Sequence, residues 1–271
     1  MSTNSVLVSI VTPSYNQADY IETTILSVIN QDYPYIEYIV FDGGSTDGSI
    51  DIIKKYADKI SFWKSEPDNG QSDAINKGWK MAKGEIFFYL NSDDYLHNSN
   101  VVSQIVEAYN KDPNAAIFYG DCIVVNEKGV QTSYKKAKNA DTHTLLKERI
   151  MANVLFQTAS FFNAIYVREL DYLNENLHYC MDYKLIVGLS LKGKMCRIDK
   201  PIANFRVHSH SKSHNGMIPM MKELIAIKWQ YNKLYSLIYT FHYAKFRIFE
   251  RLPIFIQKIV NPNLYQILNG M

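Results

Sequence analysis

Short apolar runs alternate with amphipathic helical segments from residue 6 to residue 90, and this alternation constrains the fold more than any other feature of the chain. Between the first two apolar runs, Ile21, Ile25 and Val28 recur at the spacing of one helix face. Alternating strands and helices imply crossover connections, which predict a mostly parallel sheet. We therefore expect the α/β class, with a Rossmann-like central sheet flanked by helices. The runs that predict strands are residues 6–11, 38–41, 60–63 and 86–90.

Polar residues follow three of these strands at their carboxyl ends, at residues 12–15, 42–47 and 91–94. Open α/β sheets bind ligands beyond the carboxyl ends of their strands, so we expect the three clusters to form one site. The segment 42–49 reads DGGSTDGS, and its glycines let the backbone approach a ligand closely. Its spacing matches neither the dinucleotide motif nor the P-loop, so neither of those sites is predicted.

The cluster Asn-Ser-Asp-Asp at residues 91–94 has two interpretations. Carboxylates at the end of a buried strand provide the oxygen ligands that hard divalent cations prefer. The same residue types also cap helices, and a helical pattern begins shortly after residue 98. The cluster by itself leaves both interpretations open.

Composition excludes several classes of protein. A net charge of +2 over 271 residues excludes a strongly basic nucleic-acid-binding protein. The three cysteines, Cys122, Cys180 and Cys196, are far apart, which favours a reducing compartment over a disulfide framework or a thiolate zinc site. The N-terminus lacks the pattern of a signal peptide, and no apolar stretch reaches the roughly 18 residues of a membrane-spanning helix. The sequence predicts a cytoplasmic protein.

Several sequence blocks follow one another in the first third of the chain: SIVTPSYN at 9–16, SVINQDY at 27–33, EYIVFDGGSTDGS at 37–49, DNGQSDAINKG at 68–78 and FYLNSDDYL at 88–96. In order and spacing these blocks resemble glycosyltransferase family 2. The resemblance is continuous to about Tyr95 and is weaker to about Ser213. It implies the GT-A fold and an inverting, nucleotide-sugar-dependent enzyme that builds a bacterial-type surface polysaccharide.

The resemblance also implies a donor site for a nucleotide sugar, most simply a UDP-sugar. In it, Asp42 accepts a hydrogen bond from the base. The residues that the resemblance places around the donor are Thr12, Pro13, Tyr15, Asp42, Gly43, Asp73, Asn91 and Ser92.

A divalent cation, Mn²⁺ or Mg²⁺, is implied in the same way. Asp93 matches the metal-binding carboxylate of the family's DxD motif, whereas Asn91 occupies the first Asp position and brings no charge. Asp94 is an alternative ligand and also a candidate helix cap. His208 matches a histidine that completes the metal shell or contacts the diphosphate in related enzymes. Arg206 could instead contact phosphate, since arginine suits bidentate anion binding, and His210 lies two residues further on.

Asp182 is the predicted catalytic base. Inverting transfer needs a base to take the proton of the attacking hydroxyl. The family usually has Glu-Asp at this point, and this chain has Met181 followed by Asp182. The alternative is that Asp182 only complements the dipole of the helix that begins there.

The predicted domains are a GT-A domain at residues 1–215 and a helical extension at 216–271. The GT-A domain comprises a nucleotide-binding half, 1–97, and an acceptor-binding half, 98–215. Residues 220–260 carry seven lysines and arginines against two glutamates, together with many aromatic residues. Basic amphipathic helices with aromatic residues lie on anionic membrane surfaces. Packing on the catalytic domain or on a dimer partner is the alternative, and the oligomeric state stays open.

The predicted function is transfer of a sugar from a nucleotide sugar to a hydroxyl of a glycan or lipid-linked acceptor, at the inner face of a membrane. One alternative is a sugar-phosphate nucleotidyltransferase, which would need a glycine-rich cationic loop after the first strand. Residues 12–16 contain neither glycine nor a cation. Another alternative is a non-catalytic nucleotide-sugar-binding or assembly subunit, which Asn91 and Met181 favour.

Overall fold

The computed structural model describes residues 5–148, 151–209 and 217–251. The chain forms two compact units, Met1–His208 and Ser209–Met271. The strands of the first unit are β1 Val8–Ser14, β2 Ile36–Asp42, β3 Phe62–Ser65, β4 Ile86–Tyr89, β5 Tyr95–Leu96, β6 Ile117–Asn126, β7 Gln131–Lys135, β8 Ser160–Asn163 and β9 Met195–Val207. Its helices are α1 Ile21–Ile29, α2 Ser49–Lys55, α3 Gln71–Met81, α4 Val101–Lys111, α5 Thr142–Lys147, α6 Ala164–Glu169 and α7 Met181–Ser190.

All nine strands belong to one sheet, in the order β3-β2-β1-β4-β8-β6-β9-β5, with β7 paired to β6. The strands β3, β2, β1 and β4 are mutually parallel, as predicted from the alternation of strands and helices. Every residue of β1 is buried, which is typical of a parallel strand covered on both faces. This half of the sheet therefore aligns the carboxyl ends of β1, β2 and β4 along one edge.

The other half of the sheet is mixed. Strand β8 is antiparallel to both β4 and β6, whereas β6 and β9 run parallel. Strands β6 and β7 form a hairpin around the turn at residues 126–129. Gly129 has φ of 77° there, a left-handed conformation that suits glycine. Since β5 pairs with β9, the chain that follows β4 lies beside the end of β9.

Strand β1 is longer than predicted and ends at Ser14, so residues 12–14 are strand rather than turn. Pro13 has no N–H, which normally excludes it from a central strand. The ladder to β4, however, ends at the pair Val11–Tyr89, while β1 continues beside β2. The backbone polar groups of Val11 and Pro13 point toward the same edge of β1, the edge that faces β4. Pro13 lies beyond the last pair with β4, so its missing N–H removes no hydrogen bond from that ladder.

Aromatic side chains fix the end of β4. The rings of Phe88 and Phe161 stack with a centroid distance of 4.0 Å. The fully buried Trp79 of α3 packs against Phe87 and Tyr89 of β4, at 5.7 and 5.6 Å. Packed aromatic pairs contribute about 0.5–1.5 kcal/mol beyond the burial of their area. The strand thus presents residues 91–94 on a rigid support.

The described residues of the second unit form two helices, α8 Met217–Tyr231 and α9 Lys233–Glu250. The side chain of Asn232 accepts hydrogen bonds from the backbone N–H groups of Leu234 and Tyr235, so it caps α9. The hydroxyl of Ser236 donates to the carbonyl of Ile225, 3.0 Å away, and ties α9 to α8. The predicted helical character holds for residues 217–251. Within the described ranges, no helix combines the length and apolar character needed to cross a membrane.

Candidate active site

The structure brings Asp93 and His208 together, although 115 positions separate them in the chain. Asp93 follows β4 and His208 follows β9. The Nε2 atom of His208 lies 3.0 Å from the Oδ2 atom of Asp93, and the His208 ring packs on Tyr20 at a centroid distance of 4.7 Å. The Asp93 side chain is 21% exposed and that of His208 only 1%, so the carboxylate is the more accessible of the two. Two of the predicted metal ligands therefore converge.

Asp94 has a different environment, because its carboxylate is enclosed by protein. One oxygen accepts a hydrogen bond from the backbone N–H of Arg206 (2.8 Å), and the other from the hydroxyl of Thr158 (3.0 Å). The amide of Asn91 donates to the same carboxylate. Burial and, secondarily, the adjacent Asp93 carboxylate raise the pKa of Asp94 well above its usual range. In this arrangement Asp94 ties the loop to β9 and to the segment before β8.

The amide at position 91 uses both of its polar ends. Asn91 Oδ1 accepts a hydrogen bond from the side chain of Gln71 at 2.7 Å, while its Nδ2 donates to Asp94. A carboxylate, which only accepts when ionised, could not make both contacts. Ser92 is buried, and its backbone carbonyl accepts from the hydroxyl of Thr24 at 2.9 Å. The loop is therefore held by a hydrogen bond within itself and by hydrogen bonds to α3 and α1.

Arg206, which was predicted as an alternative phosphate ligand, is bound to backbone carbonyls instead. Its Nε donates to the carbonyl of Asp93 (2.9 Å) and its Nη1 to the carbonyl of Glu127 (2.7 Å). The guanidinium lies near the rings of Tyr20 and Tyr95, with centroids 4.9 and 5.4 Å away. Arg206 thus joins the loop after β4 to the β6–β7 turn.

The predicted donor residues of β1 divide into buried and accessible ones. Thr12 is fully buried, and its hydroxyl accepts a hydrogen bond from the Tyr38 hydroxyl at 3.1 Å. Pro13 is buried as well. Tyr15 is 62% exposed, so its ring is available to a ligand. The chain turns sharply after it, because Asn16 has φ of 51°.

Asp42 is 1% exposed and organises its own loop. One oxygen accepts from the backbone N–H groups of Gly44 and Ser45, at 3.1 and 2.9 Å. The same oxygen accepts from the hydroxyl of Ser65, and the second oxygen accepts from the hydroxyl of Ser45. Both oxygens of Asp42 are therefore engaged within the protein.

Two further acidic residues lie beside that loop. Asp73 accepts from the backbone N–H of Asn69 at 2.9 Å and pairs with Lys77 at 3.1 Å. Asp68 was not among the predicted site residues, yet its carboxyl group lies directly against Gly43. The sequence could have pointed to Asp68 only through its position in the DNGQSDAINKG block. Its contact with Gly43 depends on how the loops after β2 and β3 pack against each other.

Asp182 lies in the first turn of α7 and is partly exposed. Its Oδ1 accepts the backbone N–H of Tyr183 at 2.7 Å, which is compatible with the helix-dipole alternative. It also lies near the end of β4. The pKa of the buried Tyr89 is raised well above its usual value by burial first, then by the carboxylates of Asp182 and Asp94. Asp182 and the loop after β4 therefore face the same region of the sheet.

Metal binding by protein side chains alone is not supported within the described residues, which contain no cluster of three or more His, Cys, Asp or Glu suited to a metal ion. Asp93 and His208 provide two donor groups. Mg²⁺ in particular is commonly held by one or two protein ligands together with water and substrate phosphates. The residues present fit an ion that binds together with a diphosphate. His210 lies outside the described residues.

The sequence matches the family described as glycosyl transferase family 2 over residues 9–172, more than half of the chain. The chain belongs to glycosyltransferase family 2. It is similar to TuaG of Bacillus subtilis, a glycosyltransferase named for teichuronic acid biosynthesis, with 39% identity over 102 residues, or 36% of this chain and 40% of that protein. The chain spans 30–41% of the length of the first five curated relatives that it matches.

Two solved structures share the fold of this family 2 chain. TarS 1–349 of Staphylococcus aureus, in complex with UDP-GlcNAc, gives a TM-score of 0.64 at 18% identity and covers 82% of this chain and 66% of that chain. The mannosyltransferase PcManGT of Pyrobaculum calidifontis, in complex with GDP-Man and Mn²⁺, gives a TM-score of 0.61 at 18% identity. It covers 83% of this chain and 64% of that chain. The predicted GT-A fold is confirmed.

Proposed function

We propose that the protein transfers a sugar, with inversion, from a UDP-sugar to a hydroxyl of a glycan or lipid-linked acceptor in surface polysaccharide synthesis. The observation that carries the proposal is the pairing of Asp93 with His208 beyond the end of β4, where their side chains lie 3.0 Å apart. Asp182 is the assigned base, and its charge contributes to the raised pKa of Tyr89 at the end of the same strand. The name of TuaG supports the polysaccharide assignment, and UDP-GlcNAc in the TarS structure supports a UDP-linked donor.

Asp93 and His208 are the groups that would hold a divalent cation on the donor diphosphate. When bound, such a cation stabilises the negative charge of the departing diphosphate. Arg206 keeps the backbone of Asp93 in place through its hydrogen bond to the Asp93 carbonyl. Asn91 and Asp94 make the hydrogen bonds that shape the loop, so Asp93 is the carboxylate assigned to the ion.

Asp182 is the proposed general base. It accepts the proton of the acceptor hydroxyl while the hydroxyl oxygen bonds to the anomeric carbon and the bond to the diphosphate breaks. Its place at the start of a helix limits its movement.

The test of the base is Asp182→Asn, which preserves shape and removes the ability to accept a proton. We expect transfer to fall by about 10²–10⁴-fold, the usual contribution of a general base. Binding of UDP with Mn²⁺, measured by isothermal titration calorimetry, should stay unchanged. Asp51→Asn is the matched control, because Asp51 also lies in the first turn of a helix, α2, and is exposed.

Two outcomes separate this proposal from the alternatives. Transfer by Asp182→Asn at the wild-type rate would show that the base is another residue. A wild-type protein that binds UDP-sugars but transfers nothing to any acceptor would support a non-catalytic subunit. A nucleotidyltransferase is disfavoured because the β1 end consists of Thr12, Pro13 and Tyr15 with no cationic phosphate loop.

We also propose that helix α9 contacts an anionic membrane surface. Five apolar side chains at helical spacing are 47–65% exposed: Leu234, Leu237, Ile238, Phe241 and Ile248. The ammonium group of Lys245 lies 4.5 Å from the Phe241 ring centroid, so a cation borders this apolar stripe. An open cavity of about 420 Å³ in the same unit has Lys222, Arg247 and Arg251 in its lining.

The basic charge of α9 favours a lipid surface as the partner of its apolar stripe, over a second copy of the chain or residues 252–271. A symmetric dimer through α9 would bring together two helices that each carry Lys233, Lys245 and Arg247 against the single acidic residue Glu250. Residues 252–271, which lie outside the described part of the chain, contain no acidic residue that could neutralise these cations. Anionic lipid headgroups supply the missing charge, and each nearby cation contributes about 1 kcal/mol to such binding.

A further inference from the structure

The carboxylate of Asp68 differs from the other acidic groups near the ends of β2 and β3. Asp42 uses both oxygens to order its loop, and Asp73 is paired with Lys77. Asp68 Oδ1 accepts the backbone N–H of Gly70 at 2.7 Å. Its Oδ2 accepts no hydrogen bond from any residue that the structure describes, so this oxygen keeps its full capacity to accept.

The same oxygen occupies the space that a side chain at position 43 would need. A Cβ atom added to Gly43 would lie 2.8 Å from Asp68 Oδ2 and 3.1 Å from its Cγ. Real Cβ contacts are essentially never shorter than 3.0 Å. The φ angle of Gly43 lies outside the left-handed range, unlike that of Gly44, so the backbone at position 43 does not itself require glycine. Glycine at this position makes room for the carboxylate.

The place of this carboxylate in the sheet matches the base end of a nucleotide. Gly43 follows β2 and Asp93 follows β4, with β1 between them. Two strand spacings amount to about 10 Å. A nucleoside diphosphate whose phosphates lie at Asp93 and His208, and whose ribose passes the end of β1 near Tyr15, brings its base to Gly43 and Asp68.

We propose that Asp68 accepts a hydrogen bond from the N3–H of uracil and thereby favours uridine over cytidine nucleotides. The inference rests on the proposed UDP-sugar donor and names the residue that reads its base. An ionised carboxylate only accepts hydrogen bonds. Uracil N3 carries a proton and donates, whereas cytosine N3 is an acceptor that a carboxylate repels. Asp68 therefore discriminates between two bases of the same size.

The test compares UDP with CDP, each with Mn²⁺, by isothermal titration calorimetry on the full chain. The wild type should bind UDP at least about tenfold more tightly than CDP, the lower end of what a charge-assisted hydrogen bond contributes. Asp68→Asn should weaken UDP binding by a similar factor and should strengthen CDP binding, because the amide removes the repulsion of cytosine N3 and can donate to it. Glu66→Gln is the matched control, because Glu66 lies in the same loop and its carboxylate pairs with Lys64 and Lys77.

Gly43→Ala provides a second, independent perturbation. Its methyl group must displace the Asp68 carboxylate, so we expect the same loss of preference for UDP. The double variant should lose no more than either single variant, since both changes remove one interaction. Thermal unfolding of each variant verifies that it folds.

The outcomes separate the inference from the function on which it rests. An equal loss of UDP and CDP affinity in Asp68→Asn would indicate a structural role and overturn the inference. An unchanged ratio in Asp68→Asn would overturn it as well, while UDP binding by the wild type would leave the donor proposal intact. A wild type that binds neither nucleotide would overturn both.

Discussion

At the scale of single residues, the candidate site depends on side chains that hold other side chains in place. Arg206 illustrates this, because it is 5% exposed and binds two backbone carbonyls between two tyrosine rings. Its fork of donors has a fixed geometry that lysine cannot reproduce. The loop that carries Asp93 is therefore expected to depend on the guanidinium group as well as on its charge.

Arg206→Lys should lower the free energy of unfolding by about 1–3 kcal/mol, since a buried carbonyl loses its donor. It should also weaken the Mn²⁺-dependent part of UDP binding, because Asp93 loses its support. Urea unfolding and calorimetry measure the two effects. Lys111→Ala is the control, because it removes an exposed ion pair with Glu107 that contributes at most about 0.5 kcal/mol. Equal stability of Arg206→Lys and wild type would contradict this account of the loop.

The residue scale also shows where sequence-based expectations end. Asp42 ends β2, whereas Asp93 and Asp94 follow β4, and the family resemblance treats them as one donor and metal site. In the structure Asp42 and Asp94 face inward and accept hydrogen bonds from the protein, while Asp93 is more exposed. Which way each carboxylate faces depends on partners such as Thr158 and Arg206, which are distant in the chain.

At the scale of elements, the packing of α3 on β1 sets the position of the loop after β3. Gly78 of α3 lies against Val11 of β1, and a Cβ at position 78 would come within 2.6 Å of Val11 Cγ1. The absence of a side chain lets the helix approach the strand. Val11 is buried and branched at Cβ, so it has little freedom to move aside.

Gly78→Ala should therefore destabilise the protein by about 1–3 kcal/mol through overpacking, despite the better helix propensity of alanine. Gly188→Ala in α7 is the matched control. Its Cβ would contact Leu170 Cδ1 at 3.0 Å, the end of a flexible side chain, so its effect should be small. Thermal or urea unfolding of both variants provides the comparison. Equal effects of the two substitutions would contradict the assigned tight contact between α3 and β1.

At the scale of the whole molecule, the chain combines a GT-A unit with a helical unit of different surface character. The apolar stripe of α9 leads to a prediction about binding to vesicles. The double variant Leu237→Glu, Phe241→Glu should lose most of its binding to vesicles that contain phosphatidylglycerol, because it places charge in the contact and removes apolar area. Flotation of the full chain measures this.

Val130→Glu is the matched control for that experiment, because Val130 is an exposed apolar residue in the other unit. Binding of the wild type should also decrease as salt increases, since the contact is partly electrostatic. Unchanged binding of the double variant would overturn the proposed surface. Concentration-dependent dimerisation of the wild type that the double variant loses would identify a second copy as the occupant instead.

The sequence by itself determined the order of the strands and helices, the parallel half of the sheet, the family and the positions of the polar clusters. These features depend on local periodicity and short motifs, which neighbouring residues carry. Only the tertiary structure decided that Asp93 meets His208, that Arg206 binds backbone carbonyls, and that Asp68 fills the space at Gly43. Each of these contacts joins residues on separate elements, so its geometry arises from packing that no local pattern records.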